Sequence, residues 1–145
     1  MNYQHVEILL VEDSSADAEM TLRTLKRRGI ANDIKWVRDG AEALEYLHCE
    51  GRYAERTSGH PKLVLLDLKM PRMNGLQVLE KMKQDARTKA IPVVMMTSSR
   101  EQGDLLASYA LGVNSYVVKP VDFAAFTETV AKVGMYWMIA NEASD

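Results

Sequence analysis

The sequence predicts an α/β domain, in which a doubly wound parallel sheet of five strands is flanked by five helices. The main indication is a set of four apolar runs that are too continuous for half-buried strands and therefore predict strands buried on both faces. They are Val6 to Val11, Leu63 to Leu66, Val93 to Met96 and Tyr116 to Val118. Segments of helical period separate them, and connections this short imply right-handed crossovers. With 145 residues, 47% of them hydrophobic, the chain fits one globular domain.

A weaker strand and five helices complete the alternation. The strand is predicted at Asp33 to Val37, where Ile34 and Trp36 share one face. The helices are predicted at Ser15 to Arg28, Ala41 to Glu50, Leu76 to Arg87, Arg100 to Leu111 and Phe123 to about Asn141. The third of them is expected to bury Val78, Leu79, Met82 and Ala86.

Local signals mark several boundaries of these elements. The basic run Lys26 to Arg28 before Gly29 favours a helix end, and two tetrapeptides resemble capping boxes: Asp39-Gly40-Ala41-Glu42 and Ser99-Arg100-Glu101-Gln102. The polar, charged segment Gly51 to Pro61 predicts a long loop. Two interpretations of this loop stay open, an exposed insertion that contacts a partner or a tolerated surface loop.

Charge and cysteine content exclude several classes of protein. A net charge of −2, from 18 basic and 20 acidic residues, gives no reason to expect nucleic acid or an anionic membrane as partner. The single cysteine, Cys49, cannot form an internal disulfide and is expected to be a buried thiol in a reducing compartment. Met1 to His5 lacks a signal-peptide pattern, and no apolar run reaches about 18 residues. We therefore expect a cytoplasmic protein.

Polar side chains follow each of the four strong strands, in the order Glu12-Asp13, Asp67, Thr97 and Lys119-Pro120. Each alone is an ordinary helix cap, strand end or surface residue. Parallel strands end at one edge of a sheet, where such folds bind ligands, so we expect these groups to meet there. Three carboxylates repel one another unless a divalent cation neutralises them, and oxygen ligands suit Mg²⁺. The predicted cofactor is Mg²⁺, with Asp13 and Asp67 as direct ligands and Glu12 acting through coordinated water.

The same edge fits phosphoryl transfer, which requires an in-line nucleophile and positive charge around the transferred group. Asp67 is the candidate nucleophile, Lys119 supplies the cation, and the Thr97 hydroxyl can donate a hydrogen bond. A cis bond before Pro120 would aim Lys119 inward.

These motifs resemble those of response-regulator receiver domains over roughly Val6 to Val133. The matching residues are Glu12-Asp13, Asp67-Leu68-Lys69-Met70-Pro71 with Asn74-Gly75, Thr97-Ser98 and Lys119-Pro120. The resemblance implies that Asp67 accepts a phosphoryl group from a phosphohistidine of a sensor histidine kinase. It implies that Asp13, Asp67 and the backbone carbonyl of Lys69 hold the metal, and that Thr97 and Tyr116 change position as a switch. It also implies a phosphoacceptor that catalyses only its own phosphotransfer and autodephosphorylation, rather than an enzyme.

The end of the chain indicates an oligomer. The core is predicted at about residues 6–133 and a helical extension at 134–145, so we expect a stand-alone receiver. The last helix carries an apolar stripe and further apolar residues on its other faces: Phe123, Phe126, Val130, Val133 and Trp137, then Met135, Tyr136, Met138 and Ile139. One sheet cannot bury them all, so we expect a homodimer through this helix, with a tail that folds back on its own domain as the alternative.

This apolar end, together with the extended region before the third strand, resembles the small receivers that are paired with bacterial phytochromes. The predicted phosphoryl donor is then a light-regulated histidine kinase. Chemotaxis-type receivers and phosphorelay intermediates are the alternatives.

Three other functions compete with a receiver. A flavodoxin-like electron carrier shares the fold, but Glu12 and Asp13 would repel a flavin phosphate. A dehalogenase-type phosphatase typically has a second aspartate two residues after its nucleophile, where this chain has Lys69. An interaction module that never accepts phosphate would not need the complete set of polar strand ends.

Overall fold

The computed structural model describes residues 6–27, 33–56, 59–98 and 107–132, and these ranges contain one parallel sheet. Its strands are β1 (Ile8–Val11), β2 (Ile34–Val37), β3 (Leu63–Asp67), β4 (Val93–Thr97) and β5 (Ser115–Val118). They lie in the order β2-β1-β3-β4-β5, and each neighbouring pair is parallel. The predicted fold class is confirmed.

Helices alternate with the strands along the chain. They are α1 (Ser15–Arg27), α2 (Gly40–His48), α3 (Gly75–Gln84), α4, whose described helical residues are 107–110, and α5 (Phe123–Lys132). The predicted capping box at Ser99 and the segment beyond Lys132 lie outside the described residues, so the homodimer through the last helix stays a prediction. Within the described ranges, no helix is long and apolar enough to span a bilayer.

The continuous apolar strands arise because helices cover the sheet on both faces. In β1, Leu9 and Val11 belong to a core with residues of α2 and α3, whereas Ile8 and Leu10 pack on the other face with residues of α1 and α5. All four side chains are fully buried. A strand that is covered on both faces has no side exposed to solvent, so its residues do not alternate between polar and apolar. The continuous apolar run in the sequence therefore identified the strand.

The ends of the helices agree only partly with the sequence patterns. The Asp39 side chain accepts the backbone N–H of Glu42 as predicted, but the Glu42 carboxylate accepts the N–H of Arg38 instead of that of Asp39. A complete capping box lies instead at the start of α3, between Asn74 and Gln77.

The expected burial of Ala86 is wrong, because α3 ends at Gln84. The chain turns there: the Asp85 carboxylate accepts from the Arg87 backbone and guanidinium, and the buried Thr88 hydroxyl donates to the Met82 carbonyl at 2.8 Å. These local hydrogen bonds replace those of a further helical turn.

The first part of the loop that the sequence predicts at Gly51 to Pro61, residues 51–56, packs against α2. It begins with a 3₁₀ turn at Gly51–Tyr53, and the Arg56 side chain is buried. Arg56 Nε donates to the Tyr46 carbonyl at 2.9 Å, and its guanidinium lies 4.1 Å from the Tyr46 ring centroid. Cys49, expected to be buried, is only half-buried, and it forms the left-handed C-cap of α2 with φ 55°.

Gly75 permits the close packing of α3 beneath the end of β3. Its N–H donates to the Leu68 carbonyl at 2.9 Å. A Cβ at this position would clash with the Asp67 carbonyl oxygen and lie 2.9 Å from Leu68 Cα. Both obstacles are backbone atoms, so the collision cannot be relieved by a side-chain rotation.

We predict that Gly75→Ala destabilises the protein by about 2 kcal/mol, because backbone must shift to admit the methyl group. Thermal unfolding measures this as a fall of about 5 °C in Tm. Gly59→Ala is the matched control, since nothing lies within 4 Å of its added Cβ. Equal Tm values for the two variants would contradict the packing argument.

Candidate functional site

The candidate site lies at the carboxyl ends of β1 and β3, the two central strands between which the strand order reverses. Glu12 and Asp13 follow the last residue of β1, and Asp67 is the last residue of β3. The register pairs Val11 with Leu66, so both strands deliver their carboxylates at the same level. The sheet topology brings together residues that are more than fifty positions apart in the sequence.

Glu12 is fully buried and is held through its backbone and its side chain. Its N–H donates to the Val37 carbonyl at 3.1 Å, and its own carbonyl accepts the indole N–H of Trp36 at 2.8 Å. Its Oε2 accepts the N–H of Ser14 at 3.1 Å. No well-aligned hydrogen-bond donor serves Oε1, although Lys119 Nζ lies 2.7 Å away as an ion-pair partner. The Lys119 ammonium therefore balances the charge of this buried oxygen.

Glu12, Asp13 and Asp67 form a group suited to a divalent cation. Each offers one carboxylate oxygen, and the three oxygens lie within 4.8 Å of one another. Glu12 and Asp67 are buried, whereas Asp13 is exposed and gives the group an open side. Hard oxygen ligands with one solvent-facing position fit an ion that retains water molecules and an exchangeable ligand. The predicted clustering of the three acids is confirmed geometrically.

Lys119 places an ammonium among these carboxylates. Its backbone N–H donates to the Thr97 carbonyl at 2.9 Å, which keeps the start of the β5–α5 connection beside β4, and the bond to Pro120 is cis. Lys119 Nζ reaches Glu12 Oε1 at 2.7 Å and Asp67 Oδ1 at 3.2 Å. The one cation therefore bridges the ends of β1 and β3.

The environment of Asp67 disfavours its charge. Burial, the charge of Glu12 and a hydrogen bond shared with Glu12 raise the pKa of Asp67 from 3.8 to about 7, although Lys119 acts in the opposite direction. For Lys119, burial disfavours the charge, but the nearby carboxylates of Glu12, Asp17 and Asp67 outweigh it and raise the pKa. Lys119 thus stays an ammonium, and Asp67 becomes ionised near neutral pH.

The remaining predicted site residues occupy distinct positions. Thr97 is the buried last residue of β4, next to the strand that carries Asp67. Tyr116 is 36% exposed, and its ring packs edge-on against Tyr109 of α4 at 6.4 Å, as expected for an aromatic that packs against the fourth helix. The Lys69 side chain is exposed two residues after Asp67, and its carbonyl as a metal ligand stays a prediction.

Two residues at the site escaped the sequence analysis. Asp17, in the first turn of α1, places Oδ2 3.0 Å from Lys119 Nζ. Trp36 supports the Glu12 carbonyl, and the Arg38 guanidinium lies 4.3 Å from its ring. Asp17 follows Asp13 by four residues, and this spacing could have suggested that Asp17 lies at the site. Acidic residues are, however, common in the first turn of a helix for electrostatic reasons alone.

Comparison with known families assigns residues 8–131 to the response regulator receiver domain. Among solved structures, the bacteriophytochrome response regulator AtBRR is 48% identical with a TM-score of 0.84, covering 93% of this chain and 96% of AtBRR. The crystal structure of the Mn²⁺-bound form of Rcp1 has a TM-score of 0.74 and 38% identity, covering 90% of this chain and 93% of that chain.

Curated relatives agree on the family. The response regulator Rcp1 of Synechocystis sp. is 38% identical over 131 residues, covering 90% of this chain and 88% of Rcp1. The protein named "Probable methanogenesis regulatory protein FilR2" from Methanothrix harundinacea is 40% identical over 136 residues, covering 94% of this chain and 86% of FilR2.

The raised pKa of Asp67 predicts how Asp67→Asn changes stability with pH in EDTA. The folded-state pKa lies above the ordinary value of 3.8, so the stabilising contribution of this carboxyl is complete below about pH 4 and is lost as pH rises through about 7. The amide stays neutral throughout. We therefore expect the Tm of the variant relative to the parent to rise between about pH 5 and pH 8, by about 3 °C or more.

The exposed carboxylate of Glu128, which pairs with Lys132 one helical turn later, offers a control for this measurement. Glu128→Gln should show no such trend. A Tm difference between Asp67→Asn and the parent that is constant over this pH range would contradict the proposed burial of charge.

Proposed function

This chain belongs to the response regulator receiver domain family, and on that premise we propose that Asp67 is the residue that accepts the phosphoryl group. The observation that carries the proposal is a buried carboxylate at the end of β3, flanked by the acidic pair that follows β1 and placed 3.2 Å from the Lys119 ammonium. Receiver domains take their phosphoryl group from a histidine kinase. Asp67 offers a carboxylate oxygen as the nucleophile, and the Lys119 ammonium lies at ion-pair distance from it.

The transfer step needs a nucleophilic oxygen and compensation of charge. As the P–O bond to Asp67 forms, the P–N bond of the phosphohistidine breaks, and the departing imidazole keeps the electron pair of that bond. The ammonium of Lys119 stabilises the negative oxygens of the transferred group, and the Thr97 hydroxyl donates a hydrogen bond to one of them. Both residues lie at the ends of neighbouring strands, β4 and β5, on the sheet edge that carries Asp67.

We propose Mg²⁺ as the physiological metal. Asp13 and Asp67 would be its direct ligands, together with the Lys69 carbonyl, and Glu12 would act through coordinated water. When bound, Mg²⁺ supplies positive charge that offsets the carboxylates and the phosphoryl oxygens. The acidic set of this chain supports a hard divalent cation, and the solved structure of Rcp1 contains Mn²⁺.

The readout of phosphorylation is a conformational switch at Thr97 and Tyr116. Thr97 lies at the site end of β4, and Tyr116 of β5 faces outward against α4. Movement of the Thr97 hydroxyl toward the phosphoryl group would vacate space into which Tyr116 turns inward. The domain then acts as a phosphoacceptor in the cytoplasm, changing its own binding surface rather than turning over other molecules.

We predict a Mg²⁺-dependent response to beryllofluoride, a mimic of the phosphoryl group, measured by ¹⁹F NMR of the bound fluoride. Asp67→Asn should abolish the bound signal, because the amide offers no anionic oxygen to the beryllium. Asp85→Asn is the matched control, since the Asp85 carboxylate pairs with Arg87 at 2.8 Å on another part of the surface. A bound signal that persists in Asp67→Asn, or that needs no Mg²⁺, would refute the assignment.

We further propose a bacteriophytochrome-type kinase as the donor, supported by 48% identity to a bacteriophytochrome response regulator. In phosphotransfer profiling with radiolabelled kinases at equal concentration, that kinase should label this chain at least about tenfold faster than a chemotaxis-type kinase, a difference of about 1.4 kcal/mol. Labelling at equal rates, or faster by the chemotaxis kinase, would contradict this partner while leaving Asp67 as the acceptor.

A further inference from the structure

Lys119 is surrounded by three carboxylates, each at hydrogen-bond or ion-pair distance. Its Nζ lies 2.7 Å from Glu12 Oε1, 3.0 Å from Asp17 Oδ2 and 3.2 Å from Asp67 Oδ1. All three carboxylates are ion-pair partners of this ammonium, and the contact with Asp17 also has hydrogen-bond geometry. The side chain is 12% exposed, which leaves solvent little part in holding it.

Asp17 differs from the other two partners of Lys119. Glu12 and Asp67 belong to the acidic group that can hold a metal, whereas Asp17 lies outside that group and its side chain is 43% exposed. It is carried by α1, which packs on the sheet through the buried Ala18 and Leu25. Of the three carboxylates around Lys119, Asp17 is therefore the one that does not belong to the candidate metal site.

Metal binding would weaken the electrostatic attraction that holds the Lys119 ammonium at Glu12 and Asp67. With a divalent cation bound, Glu12 and Asp67 would share their negative charge with it, and the Lys119 ammonium would be repelled by it. A lysine on a four-carbon stem then has many other rotamers open to it. A fixed carboxylate outside the metal group would retain the ammonium at the site.

We propose that Asp17 is a positioning residue, which keeps the Lys119 ammonium beside Asp67 when the metal and the phosphoryl group engage the other two carboxylates. The inference rests on the proposed role of Asp67 and adds a residue of α1 to the phosphoryl-binding arrangement. Helix α1 thereby contributes to the reaction through Lys119 rather than through contact with the phosphoryl group.

The place of Asp17 in the first turn of α1 supports this role. Its backbone N–H donates to the Ser14 hydroxyl oxygen at 3.2 Å, and its place in the first turn of α1 puts a negative charge where the helix dipole favours one. The cavity that Asp17 shares with Met20, Thr21, Lys119, Pro120 and Val121 measures about 10 Å³. That volume holds about one water molecule, so Asp17 and Lys119 are closely packed on this side.

Asp17→Asn tests the proposal against Glu19→Gln, which removes the same charge from an exposed position on the same helix. At saturating Mg²⁺, beryllofluoride should bind Asp17→Asn about tenfold more weakly than the parent, because the amide holds an ammonium less strongly than a carboxylate does. The Kd for Mg²⁺ alone, from isothermal titration calorimetry, should stay within about twofold, since Asp17 is outside the metal group. Glu19→Gln should match the parent in both.

A second measurement needs no metal. In EDTA, NMR relaxation of the Lys119 side chain should show greater mobility in Asp17→Asn than in the parent or in Glu19→Gln, and Asp17→Glu should restore part of the order. A general loss of structure would weaken Mg²⁺ and beryllofluoride binding together, which separates it from a loss of positioning.

The outcomes are distinguishable. If the parent binds beryllofluoride and Asp17→Asn binds it equally well, or if Asp17→Asn loses Mg²⁺ affinity to the same degree, the positioning role is wrong and the role of Asp67 stands. If the parent shows no Mg²⁺-dependent binding of beryllofluoride, the proposed function fails, and the role of Asp17 fails with it.

Discussion

The structure depends on the burial of two carboxylates at the centre of its sheet. Glu12 and Asp67 lie at the ends of adjacent strands and expose almost no surface to solvent. Buried charges destabilise a fold unless they are paired, and Lys119 is the cation that pairs with both. The fold tolerates this arrangement because the two apolar cores beneath the strand ends hold the backbone in place.

That pairing connects the site to distant parts of the molecule. The Lys119 ammonium contacts residues that follow β1, end β3 and begin α1, while its backbone N–H is bonded to the carbonyl of Thr97 at the end of β4. Three residues earlier, Tyr116 packs against Tyr109 of α4. A change of charge at Asp67 therefore acts on the residue that joins the β4 end, α1 and the outward face of β5. This geometric continuity connects the proposed acceptor with the outward face of β5.

The sequence patterns that predicted secondary structure correctly are those that have a single physical cause. Continuous apolar runs such as Leu63 to Leu66 identified strands because only a strand covered on both faces needs no polar side. Boundaries depended on competing local hydrogen bonds, so the burial expected for Ala86 failed where the Asp85–Arg87 turn ended the helix. The capping box at Asn74 was missed, although its side chains form the complete reciprocal pair.

The sequence by itself determined the order of elements and the sheet edge at which the three acids cluster, because hydrophobic period and strand-end residues are local properties of the chain. Only the tertiary structure decided which groups share the Lys119 ammonium. Asp17 joins Lys119 across 102 positions of sequence, through the packing of α1 on the sheet. The polar composition of the loop likewise did not predict the contact between Arg56 and Tyr46. Contacts of this kind depend on where whole elements pack, and residue patterns within one element do not encode that position.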